Sequence, residues 1–473
     1  PRTAALVLAA GSGSRFGGRK LLASLQGRPI LQHVLDRLDE AGLSEVVVVL
    51  GGDAPAIETA ITWRAERRVH NGEPARGLSS SLKVGMAALD PGVERAFVVL
   101  ADQPWLPLAA LEGLSQQPLD PGRPIVVPTY DRDGGRNPVL LERAAFALVA
   151  TTSGDQGLGP WLADHPNVVR EVAIPGVEVN PDVDTPADLR VLTERAWADQ
   201  VAANADQVER IREVPDGADF YAPVTSLFRA DPRRTDEPAL EALLGLVEPA
   251  DVWLDIGAGA GRYALPIAVA LAPSGGSVVA LDPSASMLRI LRETAQAHGI
   301  DNVQAVHGRW PLTNAPGSPT FRADVALIAH VGYDIAAIGP FLDSMEASAR
   351  RQCIALLMER QPAAVAEVFW PPVHGQPRER LPALPEFVDL LRARGRMPEV
   401  RWFEREVRRF GSSDELEGFV RRQLWIAPGS AADARFRAAF ERLVEIDPDG
   451  RVGLRDQRPI PLGIVSWLPP ERR

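Results

Sequence analysis

The apolar run from Ala4 to Ala9 breaks directly into Ala10-Gly11-Ser12-Gly13-Ser14-Arg15-Phe16-Gly17-Gly18-Arg19-Lys20, and few folds accept that combination. A short run with no polar face reads as a strand covered on both sides, the parallel strand of an α/β sheet. In the loop behind it, small residues let backbone N–H groups approach phosphate oxygens, while Arg15 and Lys20 supply fixed positive charge. A triphosphate needs both. Lys20 is not followed by Ser or Thr and the glycine spacing differs, so this is not a Walker P-loop.

The rest of the chain repeats the α/β alternation. Apolar runs at Val46 to Leu50, Ala96 to Ala101, Ile125 to Pro128 and Val168 to Ile174 predict strands, with helical patterns between them. Asp184-Thr185-Pro186-Ala187-Asp188-Leu189 reads as a helix start with proline near the first turn, opening a helix toward residue 212. A second alternation begins near Leu240, with strands expected at Val252 to Ile256, Ser277 to Leu281, Asn302 to Val306, Ala323 to Ala329 and Cys353 to Met358. At 473 residues the chain exceeds what one core usually serves. The expectation is two tandem doubly wound α/β domains, residues 1–200 and 205–473, with the polar segment Arg212 to Asp219 as the linker. Ligands of such sheets sit at the carboxyl ends of the strands.

Two acidic groups stand where a triphosphate would meet them. The strand Phe97-Val98-Val99-Leu100-Ala101 ends in Asp102-Gln103-Pro104, and Asn180-Pro181-Asp182-Val183-Asp184-Thr185-Pro186 carries a second acid. Magnesium prefers oxygen ligands and bridges one or two carboxylates to substrate phosphates, which makes Asp102 the leading candidate ligand. The plain alternative for each aspartate is the cap of the following helix. Asn71-Gly72-Glu73-Pro74-Ala75-Arg76-Gly77-Leu78-Ser79-Ser80-Ser81-Leu82 opens another helix with a serine cluster. Such a helix start binds anions or polar nucleotide edges, or simply caps.

With Ser153-Gly154-Asp155-Gln156-Gly157 and Gly134-Gly135-Arg136-Asn137-Pro138-Val139, these ordered segments resemble the molybdenum cofactor cytidylyltransferases of the MobA-like nucleotidyltransferase family. The resemblance implies nucleotide binding by Ala9, Ala10, Gly11, Gly13, Ser14, Lys20, Asn71, Ser79, Ser80 and Ser81, and Mg²⁺ on Asp102 and Asp184, the latter in the family's D-x-D-T-P element. It implies catalysis by Arg15, Lys20 and Asp102. Asn137 stands where the family often has histidine, which removes any proton transfer assigned to that position. The L-A-A-G start of the loop, with Ala10, looks like the cytidylyl branch and implies CTP, a methyl group narrowing the base pocket. The implied reaction is attack by the terminal phosphate of molybdenum-bound molybdopterin on the α-phosphorus of CTP. A molybdoenzyme or its maturation chaperone would be the partner.

The second alternation carries Val252-Trp253-Leu254-Asp255-Ile256-Gly257-Ala258-Gly259-Ala260-Gly261-Arg262, a strand entering a G-x-G-x-G turn. Asp255 before the glycines, their compact spacing, and Asp282 at the end of the next strand favour S-adenosylmethionine over a dinucleotide, since a strand-end acid can accept ribose hydroxyl protons. The segment resembles class I S-adenosylmethionine-dependent methyltransferases from about residue 205 onward, becoming vague after about 360. Cofactor binding is expected from Asp255, Gly257, Gly259, Gly261, Asp282, Arg309 and Trp310. Trp310 either stacks on adenine or belongs to the core. His330, at the end of the fourth strand, is the candidate substrate base against a structural histidine. No N-P-P-Y or D-P-P-Y element is present, so methylation of nucleic-acid bases is disfavoured. Phe220, Tyr221, Arg229, Arg233 and Arg234 either cover the cofactor or form a solvated linker face.

Composition narrows the remaining classes. A net charge of −11 argues against nonspecific binding to nucleic acid or anionic membrane. The single cysteine, Cys353, excludes an intrachain disulfide and a cysteine zinc cluster, and in its apolar run it reads as a buried strand residue. No apolar segment is long enough to span a bilayer, and no leader pattern opens the chain, so a cytoplasmic setting is expected. Two other readings compete: a cytidylyl- or uridylyltransferase acting on a sugar or polyol phosphate, and a noncatalytic regulator of molybdoenzyme maturation that binds nucleotide and S-adenosylmethionine.

Overall fold

Every residue from Ala4 to Ala9 is buried, and the strand they form lies inside a seven-stranded sheet. The computed structural model describes residues 1–131, 135–149, 152, 154, 158–177, 180–215, 229–312 and 321–470. They divide into two units, Pro1–Leu192 and Thr193–Arg473. The division falls within one helix, Pro186–Ile211, close to the span expected from the sequence.

The strands of the first unit are β1 (Thr3–Ala9), β2 (Ser24–Leu25), β3 (Arg28–Pro29), β4 (Glu45–Leu50), β5 (Arg67–His70), β6 (Arg95–Leu100), β7 (Ile125–Tyr130), β8 (Val139–Glu142) and β9 (Val169–Ile174). Strands β2 and β3 form a separate two-residue ladder; the others assemble as β5-β4-β1-β6-β8-β7-β9, with β8 antiparallel to both neighbours. Alternate residues of β1 face opposite ways. Ala5, Val7 and Ala9 join one apolar cluster and Leu6, Leu8 and Ala10 the other. Burial of each Val or Leu contributes about 1.5–3 kcal/mol, so the sheet is held from both faces. The chain leaves β1 toward β4 on one side and returns at β6 on the other, which opens a crevice beyond their carboxyl ends.

The second unit contributes β10 (Val252–Ile256), β11 (Ser277–Asp282), β12 (Val303–His307), β13 (Ala323–Ala329), β14 (Ala349–Met358), β15 (Glu399–Phe403), β16 (Val444–Ile446), β17 (Val452–Leu454) and β18 (Leu462–Trp467). Its seven-stranded sheet runs β12-β11-β10-β13-β14-β18-β15, all parallel except β18. Because β18 is antiparallel to β14 and β15 is antiparallel to β18, the carboxyl ends of β13, β14 and β15 lie along the same edge. Strands β16 and β17 pair separately. Cys353 is fully buried opposite Trp467, and burial pushes its thiol up, away from reactivity. Among the described residues no helix is long and apolar enough to cross a membrane.

Candidate active sites

In the first unit the glycine loop is wound around one carbonyl. Gly13 O accepts from Phe16 N at 2.9 Å and from Gly18 N at 3.1 Å, closing a short 3-10 turn over Ser14–Phe16. Gly13 has φ +58°, and a Cβ there would stand 3.0 Å from the Cβ of Lys20. A larger residue would therefore both strain the turn and displace the lysine. Lys20 then reaches across the sheet edge: its Nζ donates to Asp102 Oδ2 at 2.6 Å and to Asp184 Oδ1 at 3.0 Å. Arg15 stands 3.8 Å from the other oxygen of Asp184. Burial disfavours the ammonium, but the two carboxylates outweigh it, with Asp102 the larger influence, and the Lys20 pKa is raised.

The two acids are fixed by separate clips. Asn180 accepts from Trp105 N at 2.9 Å and donates to Gln103 O at 2.9 Å, while Gln103 Nε2 donates to Asp182 at 2.7 Å. Asp182 is exposed, and partial desolvation raises its pKa, aided by the neighbouring charges of Asp102 and Asp184 and opposed by Gln103 and Lys20. Helix capping falls to other residues. The Thr185 hydroxyl accepts from Asp188 N at 3.2 Å, and Asp188 Oδ2 accepts from Thr185 N at 2.7 Å. This reciprocal pair is a capping box. Asp184 is thereby left facing Lys20 rather than capping the helix.

The residues fit a hard cation. Two carboxylates converge on a single positive group, and the Asp184 side chain is 47% exposed, open to solvent and substrate. Among the described residues no three acidic, histidine or cysteine side chains gather into a complete shell. A magnesium ion held here by Asp102 and Asp184 would take its remaining oxygens from phosphates and water, its usual habit.

Other expected contacts have more internal partners. Asn71 Nδ2 donates to Ser80 Oγ at 2.8 Å and Ser81 Oγ at 2.9 Å, and Ser80 Oγ donates to Gly77 O at 2.8 Å. Ser79 and Ser81 are buried; Ser79 N is held by Gly154 O at 3.3 Å. Asn71 thus sets the shape of the serine turn. Ala10 is buried among Leu6, Leu8 and Leu82, so its methyl group acts through the core beneath the loop. Ser153, Asp155, Gln156, Gly157 and Gly134 lie outside the described residues, as do Phe220 and Tyr221.

In the second unit Gly257 has φ +77°, and a Cβ there would meet Val331 Cγ2 at 2.4 Å. Beside Gly259, by contrast, a Cβ would point into open space. Asp282 Oδ2 accepts from Gly259 N and Oδ1 from Ser284 N, both at 2.8 Å, which ties the end of β11 to the glycine turn. Asp255 is buried, its Oδ1 has no hydrogen-bond partner among the described residues, and burial pushes its carboxyl up to about 7, helped by the charge of Asp282. A bare acceptor beneath an open glycine turn fits a cofactor that brings hydrogen-bond donors. Arg309 is exposed. Trp310 donates its indole N–H to Phe341 O at 3.2 Å and packs against the core, so packing sets its position.

His330 is the residue whose environment departs most from expectation. Its backbone is left-handed, with φ +58°, and its N–H donates to Leu356 O at 2.8 Å. Burial, then the charges of Arg405 and Arg262, push its pKa down to about 3, with Glu237 opposing. A ring so reluctant to accept a proton is a weak base at neutral pH and a serviceable hydrogen-bond partner.

The model of the MobA-like NTP transferase domain matches residues 5–169, and that of a methyltransferase domain matches residues 254–345. Nicotine blue oxidoreductase of Paenarthrobacter nicotinovorans is 30% identical over 192 residues, covering 39% of this chain and 93% of that protein. The chain belongs to the MobA-like NTP transferase family. Its second unit carries a methyltransferase domain. The bifunctional protein GlmU of Sphingopyxis alaskensis is 27% identical over 266 residues, 48% of this chain, and the chain spans only 58% of that relative. Among solved structures, the Rv0371c protein of Mycobacterium tuberculosis is 30% identical, covering 40% of this chain and 96% of its own, with a TM-score of 0.36.

One supporting residue of the MobA-like unit carries no motif. A Cβ at Gly51 would stand 2.5 Å from Ala10 O and 2.9 Å from Ala10 Cα, so only glycine lets the end of β4 pass the start of the glycine loop. Gly51→Ala is expected to destabilise this unit by about 1–3 kcal/mol, the usual cost of overpacking. Urea unfolding that overlays the wild-type curve would show the contact to be slack.

Proposed function

We propose that the first unit transfers CMP from CTP to molybdenum-bound molybdopterin, and that the second transfers a methyl group from S-adenosylmethionine. The observation that carries the first half is the Lys20 ammonium held between Asp102 and Asp184 at the mouth of the glycine loop. Lys20 and Arg15 bring positive charge to the triphosphate, while the loop N–H groups orient it. The acceptor's terminal phosphate oxygen attacks the α-phosphorus, a new P–O bond forms, and the bond to the bridging oxygen of pyrophosphate breaks. The nucleophile is already an anion, so no side chain has to remove a proton. Positioning and charge neutralisation are the chain's contribution. Magnesium bound by Asp102 and Asp184 would supply further neutralisation of the phosphates.

For the second half, the open turn at Gly259 and the buried acceptor of Asp255 support cofactor binding. S-adenosylmethionine supplies an activated methyl group on its sulfonium; the chain orients it along the glycine turn.

The test is pyrophosphate release by the full chain with molybdenum-loaded molybdopterin, comparing CTP, GTP, ATP and UTP in Mg²⁺. Release with CTP at least tenfold above the others is expected. Release only with a sugar or polyol phosphate as acceptor replaces the molybdopterin assignment. Nucleotide binding without release under any condition moves the chain to the regulatory reading.

A further inference from the structure

At the carboxyl edge of β13, β14 and β15 the second unit gathers cations around a single carboxylate. Glu237 Oε2 accepts from Arg234 Nε at 2.9 Å and from Arg262 Nη2 at 2.8 Å, and its Oε1 accepts from Tyr263 Oη at 3.1 Å. The Tyr263 ring lies 6.3 Å from that of His330. Arg405 reaches the same edge, with Nη1 3.5 Å from Met358 Sδ, and Met358 N donates to Tyr333 Oη at 2.8 Å. Neither Arg405 nor Arg408 makes an ion pair among the described residues, although Glu404 and Glu406 flank Arg405 in sequence and the charge of Glu415 reaches Arg408. Arg234 Nη2 and His330 Nδ1 are buried without a hydrogen-bond partner there.

Arg405 and Arg408 are exposed to solvent, and the Arg408 guanidinium also lies over the Phe410 and Phe419 rings, so what goes unanswered at this edge is the buried pair of atoms Arg234 Nη2 and His330 Nδ1. Buried donors and acceptors normally have partners, and neighbouring like charges disfavour one another until an opposite charge joins them. Partial desolvation and the neighbouring charges of Arg405 and Arg262 lower the Arg408 pKa, although its side chain stays exposed. The glycine turn that would hold the cofactor opens on the same edge of the sheet, since β10 and β13 are adjacent and parallel.

We propose that this edge binds an anionic group of the methyl acceptor, a carboxylate or a phosphate, between Arg262, Arg405 and Arg408, with His330 Nδ1 hydrogen-bonded to the same ligand. The inference rests on the methyltransferase reading of the unit and narrows its substrate to an oxyanion-bearing molecule. Guanidinium groups are suited to both anions through paired N–H donors. His330 acts here as a binding residue.

The test uses the full chain labelled with ¹⁵N-histidine, in which the His330 imidazole signal is assigned by its loss in His330→Gln. Inorganic phosphate and acetate are titrated separately as probes. The His330 signal is expected to shift saturably with one of them, and the better probe names the anion. In Arg405→Gln/Arg408→Gln the apparent Kd is expected to rise about tenfold or more, whereas Arg405→Lys/Arg408→Lys, which keeps the charge, retains part of the affinity. A signal unmoved by both anions, or moved equally in the glutamine variant, overturns the proposal. Calorimetric titration with S-adenosylhomocysteine reads the parent assignment independently. Failure of that ligand alone removes the methyltransferase reading, while the histidine signal still decides whether this edge takes an anion.

Discussion

Replacing Asp102 by alanine is expected to lower pyrophosphate release by about 100- to 1,000-fold, the range seen when a preorganised charged group is removed from a transition state. Asp102 is the closer of the two acids to Lys20, at 2.6 Å, and its side chain is 23% exposed. The variant should therefore fold. Lys20 keeps Asp184 at 3.0 Å as a partner, and a part-exposed ion pair contributes about 1 kcal/mol or less to stability. The loss should accordingly appear in turnover with saturating CTP rather than in the melting curve. Turnover within threefold of wild type from a folded variant would remove Asp102 from the transfer chemistry.

The second large effect concerns pH. In the unfolded chain Asp255 ionises near the ordinary value of 3.8, whereas in the folded unit it is pushed up to about 7, by burial first and by Asp282 next. Between those values the folded state holds a proton that the unfolded state has released, so stability falls as the pH rises through the window. The loss is on the order of 4 kcal/mol across it. Asp255→Asn removes the titrating group at nearly constant shape, and its stability should vary far less from pH 5 to 8. Hydrogen exchange of peptides covering Val252–Ile256, which reads this unit alone, is the measurement. Wild type and variant changing in parallel with pH would assign the dependence to other groups.

The central strands were readable for a simple reason. Strands such as β1, β10 and β13 are covered on both faces, so their residues are mostly apolar, with Asp255 and Asp324 as exceptions, and the expected spans Val252 to Ile256 and Ala323 to Ala329 coincide with the observed ones. Some of the missed strands were of another kind, although buried β18, inside its sheet, was missed as well. Arg67-Arg68-Val69-His70 forms β5 at the edge of its sheet, mostly exposed, and Glu399–Phe403 forms edge strand β15 with Trp402 at 49% exposure. Edge strands bury too little to leave an apolar signature. Strand β8, only four residues long, enters antiparallel between β6 and β7, where alternation of strand and helix gives no warning.

The sites divide the same way. Lys20, Asp102, Asp255 and Asp282 stand at strand ends or beside glycine turns, and Asp184 just before a helix start, where local pattern alone marks them. Arg405, Arg408 and Glu237 are single charged residues in polar segments, and no local pattern separates them from solvated surface.

By itself, the sequence determined that the chain folds as two α/β units and which loops face the carboxyl ends of their strands, because glycine turns and buried apolar runs act over a few residues. Only the tertiary structure decided which charges meet. Lys20 lies 82 residues from Asp102 and 164 from Asp184, and the return of β15 and β18 brings Arg405 to Met358 and His330. Electrostatic pairing depends on distance in space, which strand order sets and local residue pattern does not.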